Sequence, residues 1–378
     1  MTGAETAIAE SIASDLGTSY GLDTAGAVPV EGGWLNRKWK LQGPRGPVLV
    51  KQYSVERFGP QRLDEVEASL GRQLLLEEAG IPCPHIWKAG DSILRRLDDA
   101  TCYMVMDFSP GRQESWETVT TGQLYSLGVV CGRMQQALEA IPAQGVRGYP
   151  PPGGRRIWDG LWAFHESYQV EQGGPQALSR AMAAQKNILK SLDQAFFDRL
   201  PMGLSHEDFT PDNMLFDDTG VAAILDFDRN QYGYLWHDVG RALLSFTLAE
   251  GGLAMEKARA FLEGYAQVKE APGLADALRL VWCLEFPWWM QPKLFGPVSP
   301  KVARFRDEIC WITDRWFELD ELLGDVFILD LDTKNLCSED CKGLCPGCGA
   351  DLNVEPCRCK KEVDPRLAKL AQLLEQDN

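Results

Sequence analysis

The chain has 378 residues, 45% hydrophobic and 24% charged, enough to bury one large core or two lobes with an appendage. A formal charge of −16 excludes a general nucleic-acid binder, which would need a basic surface to neutralise phosphates. No apolar run approaches a bilayer span, and the first twenty residues carry Glu5, Glu10 and Asp15 without a basic leader before an apolar core, so neither a membrane nor a secreted protein is expected.

In chain order, Ala7, Ile8, Ile12 and Leu16 recur at helical spacing and predict an amphipathic helix ending near Gly17. Residues 31–41 read as a glycine turn between two strands, either a plain hairpin or a loop over nucleotide phosphates. Residues 48–53 form a strand with Lys51 at the end of an apolar run. In a kinase layout such a lysine grips the α- and β-phosphates and is steadied by a helix glutamate. The next helix, from about Arg62 to Ala79, has Leu63, Val66, Leu70 and Leu74 as its stripe. Glu67 flanks that stripe and Glu65 points away, so Glu67 is the better candidate if Lys51 has a glutamate partner, a solvated helix charge being the alternative for either.

Residues 103–108 predict a strand broken by Pro110 and Gly111, the character of a hinge between lobes. Backbone groups near Met106 and Phe108 are the expected contacts for an adenine edge. Helices are predicted at 121–140, 157–169 and 175–197, with a proline- and glycine-rich loop at 142–156.

Residues 204–229 carry the chemistry. His206, Asp208 and Asn213 lie in one short loop, and two apolar runs split by Asp217, Asp218, Thr219 and Gly220 predict a hairpin delivering Asp226 to the same end. Phosphoryl transfer needs a carboxylate to accept or orient the attacking hydroxyl, and a carboxamide with a second carboxylate to hold Mg²⁺ on phosphate oxygens. Asp208 suits the first role; Asn213 and Asp226 suit the second. Farther on, Asp238 is expected to cap a helix or brace the catalytic loop, and His237 to pack or hydrogen-bond. Trp288 and Trp289 fill a helical core or form a box for a cation.

Residues 30 to about 318 resemble the aminoglycoside phosphotransferase and choline kinase superfamily. His206-Glu207-Asp208-Phe209-Thr210-Pro211-Asp212-Asn213 and Ile224-Leu225-Asp226-Phe227-Asp228 carry the resemblance, supported by Val50-Lys51, the segment from Gly80 to Pro84, and Asp238. It implies an α+β, bilobal protein-kinase-like fold: an N-lobe of antiparallel sheet plus helix over residues 1–108 and a mainly helical C-lobe over 109–318. It also implies ATP (or GTP) with Mg²⁺, and transfer to a hydroxyl of a small molecule such as an amino alcohol, aminoglycoside or sugar. Glu207 stands where that family often has a small residue. Asp228 replaces the glycine of the protein-kinase Asp-Phe-Gly, and no Ala-Pro-Glu signature follows, both favouring a small-molecule acceptor.

The remaining segment, 319–378, is cysteine-rich. Its dense thiols, with Cys345-Pro346-Gly347-Cys348-Gly349 as a knuckle, suit tetrahedral Zn²⁺. Cys345, Cys348, Cys357 and Cys359 are the expected ligands, with Cys337 and Cys341 as alternates. The six tail cysteines and the five scattered ones fit a reducing, cytoplasmic setting. The stretch from Leu336 to Asn353, with Asp364-Pro365-Arg366-Leu367, resembles the end of the DUF177 (YceD-like) family, associated with large-subunit ribosomal RNA accumulation. With 13 acidic and 7 basic residues this tail suits a protein partner, or its own kinase lobe, better than RNA. Two functions are therefore set against each other: a phosphotransferase with a zinc tail, or a nucleotide-binding adapter whose tail docks a partner, possibly ribosome-related.

Overall fold

The computed structural model describes residues 8–30, 36–98, 101–150, 153–168, 174–193, 195–321 and 352–356. The chain forms two units, Met1–Leu323 and Gly324–Asn378. Of the second, only the turn at 352–356 is described. Cys337, Cys341, Cys345, Cys348, Cys357 and Cys359 all lie outside the described residues.

The N-terminal layer of the first unit contains α1 (Glu10–Asp15), β1 (Val28–Pro29), β2 (Arg37–Gly43), β3 (Gly46–Ser54), α2 (Val55–Glu78), β4 (Ile86–Trp87), β5 (Arg95–Arg96) and β6 (Thr101–Asp107). The strands make an antiparallel sheet ordered β1-β2-β3-β6-β4, with β5 also on β6. Alternation along β2 and β3 sends Trp39, Leu41, Val48 and Val50 to one face, against Ile12 and Leu16 of the N-terminal helical segment. Tyr53 and Met104 go to the other, against Leu63, Val66 and Leu70 of α2. The register sets Lys51 between Lys38 of β2 and Met104 of β6.

Helix α2 starts earlier than its apolar stripe predicts. The Ser54 hydroxyl accepts from Arg57 N at 3.3 Å and caps a first turn, after which Gly59, at φ 69°, and Pro60 kink the helix before the stripe begins. No helix among the described residues is long and apolar enough to cross a membrane.

The C-terminal layer holds α3 (Thr121–Glu139), α4 (Gly154–Ser167), α5 (Gln176–Ser191), α6 (Ala195–Asp198), β7 (Met202–Ser205), β8 (Met214–Phe216), β9 (Val221–Ile224), β10 (Gln231–Tyr234), α7 (Leu235–Thr247), β11 (Leu248–Ala249), β12 (Gly252–Leu253), α8 (Met255–Ala266), α9 (Leu274–Trp289) and α10 (Pro300–Arg315). A capping box between Thr120 and Gln123 starts α3. The helix predicted over 175–197 is two: α5 stops at Ser191, and Asp193 then accepts the Ala195 N–H at 2.9 Å as α6 begins.

Helices α3 and α8 meet through glycines. A Cβ on Gly128 would overlap the Phe261 carbonyl, and one on Gly264 the Tyr125 carbonyl. Helix α7 is buried along almost its whole length, packed among Phe216, Phe261 and Trp282. The tryptophan pair does not form a cation box. Trp288 is 64% exposed, whereas Trp289 packs on Phe305 and donates to Glu285 at 2.8 Å.

Candidate active site

Lys51 lies on β3 with only 2% of its surface exposed, and its Nζ is 2.8 Å from Asp226 Oδ1 and 2.7 Å from Asp228 Oδ2. Tyr53, two residues along the same face, donates to Asp228 Oδ1 at 2.9 Å. Burial works to raise the Asp226 pKa, but the Lys51 charge and hydrogen bond overcome it and hold this carboxyl well below the usual range. Burial raises Asp228, and the neighbouring Asp226 charge adds to it. One lysine thus holds Asp226 ionised and bridges it to a second, more basic carboxylate.

The partner expected for Lys51 was Glu67, and this needs correction. Glu67 accepts from Leu94 N at 3.3 Å and Arg96 Nη2 at 3.1 Å, on the far side of α2. Helical phase explains the difference. Glu65, Ser69 and Arg72 share the face that meets the catalytic segment, and Glu67 is turned away from it. Ser69 and Arg72 both donate to the Asn230 carbonyl, at 3.0 and 2.8 Å, and Asn230 Nδ2 donates to Ser205 O at 2.7 Å. Helix α2 therefore anchors the segment after Asp228.

The loop carrying Asp208 and Asn213 hangs between β7 and the β8–β9 hairpin. Asp238, fully buried on α7, accepts from the N–H groups of His206 and Glu207, each at 2.9 Å, so it braces the loop. His206 Nε2 donates to the Leu225 carbonyl at 2.9 Å, which leaves Nδ1 to accept from Asp208 N at 3.3 Å. Its ring packs on Phe227 with centroids 4.8 Å apart. These contacts tie the loop to the strand end bearing Asp226, whose own backbone is left-handed at φ 61°.

Asn213 Nδ2 donates to the Asp208 carbonyl at 2.9 Å, which leaves the amide oxygen as the group a cation could use. That oxygen and the Asp226 carboxylate are hard donors of the kind Mg²⁺ takes, so the residues present fit such an ion. The Asp208 side chain is 33% exposed. Among the described residues it accepts no hydrogen bond, and Arg229 Nη1 stands 3.7 Å from its Oδ1.

The backbone expected to meet an adenine edge is partly engaged. Phe108 N donates to Pro47 O at 3.0 Å and Asp107 N to His85 O at 2.8 Å, while Met106 sits in the ladder between Leu49 and Ile86. The N–H of Phe108 is therefore not the free hinge donor its position suggested, because the ladder continues one residue past β6.

Two neighbouring lysines were not anticipated, whereas His237 makes the kind of hydrogen bond expected of it. Lys38, cross-strand from Lys51, has its pKa lowered by burial and then by the Lys51 charge. Lys301, at the start of α10, is paired with Asp212. His237 Nε2 is 3.0 Å from Glu285 Oε1, and its Nδ1 is 3.6 Å from Glu207 Oε2. A cleft of about 570 Å³ is lined by Gly148, Tyr149, Pro150, Arg156 and Ile157, beside β10. The sequence signals were present, in Asp228 two residues from Asp226 and Lys38 at a strand start, but pairing across elements decides their use.

Residues 26–271 match the model of the phosphotransferase enzyme family. The chain belongs to that family. Residues 300–374 match a second model, large ribosomal RNA subunit accumulation protein YceD. Among curated relatives, a homoserine kinase of Hyphomonas neptunium is 28% identical over 212 residues, covering 53% of this chain and 61% of the relative. A homoserine kinase of Rhizobium meliloti is 25% identical over 241 residues, 61% of this chain and 70% of the relative. An uncharacterized protein of Mycobacterium tuberculosis is 38% identical over 68 residues, 18% of this chain and a third of that protein. The chain thus spans a third to about two thirds of these relatives' length.

Membership in the phosphotransferase family agrees with the fold. An amicoumacin kinase solved with AMP-PNP and Ca²⁺ superposes with a TM-score of 0.59 at 14% identity, covering 84% of this chain and 96% of that one. A microcompartment-associated aminopropanol kinase gives 0.55 at 17%, over 82% and 98%. The likeness carries the kinase-like architecture, an antiparallel sheet layer beside a helical layer.

Proposed function

We propose that this phosphotransferase-family protein transfers the γ-phosphoryl group of ATP, or GTP, to a hydroxyl of a small molecule. The observation that carries the reading is the convergence of Lys51, Asp208, Asn213 and Asp226 from a sheet, a loop and a hairpin end. Relatives named homoserine kinase and a neighbour named aminopropanol kinase support an acceptor with a hydroxyl and an amine, within the range of amino alcohols, aminoglycosides and sugars.

In this reading Lys51 holds the α- and β-phosphates, and Lys38 lies beside it on the next strand. Asn213 and Asp226 hold Mg²⁺, which when bound neutralises charge on the phosphate oxygens. Asp208, partly exposed and without a hydrogen bond of its own among the described residues, orients the acceptor hydroxyl and takes its proton. Met106 and Phe108 line the adenine side through what the sheet leaves free of them. Glu67 keeps the loop at Leu94 in place on the far side of α2 and does not touch the nucleotide.

For the tail, the reading is Zn²⁺ on Cys345, Cys348, Cys357 and Cys359, with Cys337 and Cys341 as alternates, and a protein as the docking partner. The spacing of the thiols supports the zinc reading. A cytoplasmic setting supplies both ATP and reduced thiols.

The full chain, incubated with ATP labelled at the γ-phosphate, Mg²⁺ and a panel of hydroxylated metabolites, should label at least one acceptor. Nucleotide binding with no turnover on any acceptor would favour the adapter reading instead.

A further inference from the structure

In a chain of formal charge −16, three guanidinium groups gather beside the catalytic loop. Arg62 comes from α2, Arg147 from the loop between α3 and α4, and Arg229 from the turn after Asp226. Arg62 Nη1 bonds Glu65 Oε2 at 2.7 Å, and its Nη2 donates to the Asp228 carbonyl at 3.3 Å. Arg147 Nη1 stands 4.0 Å from the same Glu65 oxygen, and Arg229 Nη1 stands 3.7 Å from Asp208 Oδ1.

The loop that brings Arg147 here is built in. Tyr232 N donates to the Arg147 carbonyl at 2.9 Å. The next residue, Gly148, has φ 85° and lies so close to the Tyr232 carbonyl that a Cβ would overlap it. Tyr232 is on β10, which pairs with β7, the strand that runs into the catalytic loop. Arg147 is therefore registered against the reaction centre through backbone.

The exposed arginines hold their anions only at long range, Arg229 facing Asp208 at 3.7 Å and Arg147 facing Glu65 at 4.0 Å. Glu65 is shared by two arginines. Asp228 is committed to Lys51 and Tyr53, and Glu207 to Ser205 and His237. Partial burial, then the Arg62 charge, lowers the Arg147 pKa, and Arg229 adds to that effect while Glu65 and Glu207 oppose it. The side chains of Arg147 and Arg229 are still 51% and 60% exposed, so a ligand can reach both.

We propose that Arg147 and Arg229, backed by Arg62, form an anion subsite for the acceptor, and that the hydroxyl compound phosphorylated here carries a carboxylate. The inference rests on the phosphotransferase reading and narrows its substrate class. Guanidinium forks match a planar carboxylate in two parallel hydrogen bonds. Because Arg229 already approaches Asp208, the carboxylate and the reacting hydroxyl belong to one small molecule, separated by a few bonds. Binding that carboxylate would also draw Arg229 off Asp208 and free the base for the hydroxyl.

The test compares matched acceptors that differ only by the carboxyl group: L-homoserine against 3-amino-1-propanol, and D-glycerate against ethylene glycol, using the full chain and labelled ATP. At least one carboxylate-bearing member should be preferred by about tenfold to a hundredfold in kcat/KM, the range for hydrogen bonds to a charged group. Arg147→Gln and Arg229→Gln should erase that preference through the acceptor KM, and Arg147→Lys should restore part of it. The wild-type comparison needs no variant to fold. Equal or better use of the carboxyl-free partners, with label transferred, overturns the subsite and leaves the kinase standing. A rise in the ATP KM alone in the arginine variants also overturns it, by assigning the arginines to the nucleotide. No turnover of ATP with any acceptor removes the phosphotransferase reading itself.

Discussion

His237 places Nε2 3.0 Å from Glu285 Oε1, so that a buried imidazole on α7 is pinned to a carboxylate on α9. Its other nitrogen faces Glu207, which immediately precedes Asp208 and is held in the left-handed region at φ 64°. A glycine would take that conformation without strain, whereas Glu207 keeps it while accepting from Ser205 Oγ at 2.6 Å. Glu285 also accepts from Arg241 and Trp289, each at 2.8 Å. The loop bearing the proposed base is thus tied to the helical core through ions as well as through Asp238.

This arrangement makes stability depend on pH. Burial lowers the His237 pKa, but Glu207 and Glu285 outweigh it and raise it to about 10. A raised histidine stabilises fully below its unfolded value of about 6.5, and the contribution is lost as pH rises through the folded value. Glu285, which burial would raise but Arg241 and His237 lower to about 2, contributes above about 4.5 and loses that as pH falls. Denaturant titrations should show this share of the stability whole between pH 4.5 and 6.5 and falling towards 10. His237→Ala should cost about 3–5 kcal/mol at pH 6 and flatten the alkaline decline. An unchanged pH–stability curve in the variant would remove the charged-network account.

Asp208 and Asp226 should fail differently. Asp208→Asn should lower kcat by about 10²–10⁴ with ATP binding retained, because it removes a proton acceptor and leaves the loop's backbone bonds in place. Asp226→Ala should weaken Mg·ATP binding in calorimetry, since it removes both the proposed metal ligand and one partner of Lys51. Full activity in the first variant, or unaltered affinity in the second, would break the corresponding assignment.

The α3–α8 contact gives a stability prediction independent of chemistry. Gly128→Ala places a methyl group against the Phe261 backbone, and backbone cannot rotate out of the way. Overpacking of this kind costs about 1–3 kcal/mol. Thermal melts should show Gly128→Ala below wild type and Gly160→Ala, where a Cβ meets nothing, at or above it.

Metal analysis tests the tail. Protein purified under reducing conditions should carry about one Zn²⁺ per chain, and Cys345→Ser with Cys348→Ser should abolish it. Metal-free wild-type protein with oxidised thiols would reject the zinc reading.

The local rules were legible in the residues. The strand over 48–53, the turn residues between β8 and β9, the helix from 121 and the spacing of Asp208, Asn213 and Asp226 all follow from near neighbours in the chain. Long-range pairing did not follow. Glu67 looked right for Lys51 from its place beside an apolar stripe, yet two carboxylates 175 and 177 residues away hold that lysine. The kink at Gly59 and Pro60, and the phase of α2 against Asn230, set which face of the helix meets the site. Composition and order therefore pointed to a kinase and to its candidate reactive groups. Which charges meet, and that Arg147 and Arg229 face their carboxylates only at 4.0 and 3.7 Å, was decided only in the tertiary structure, because Coulomb energy and hydrogen bonding depend on distances that sequence separation does not encode.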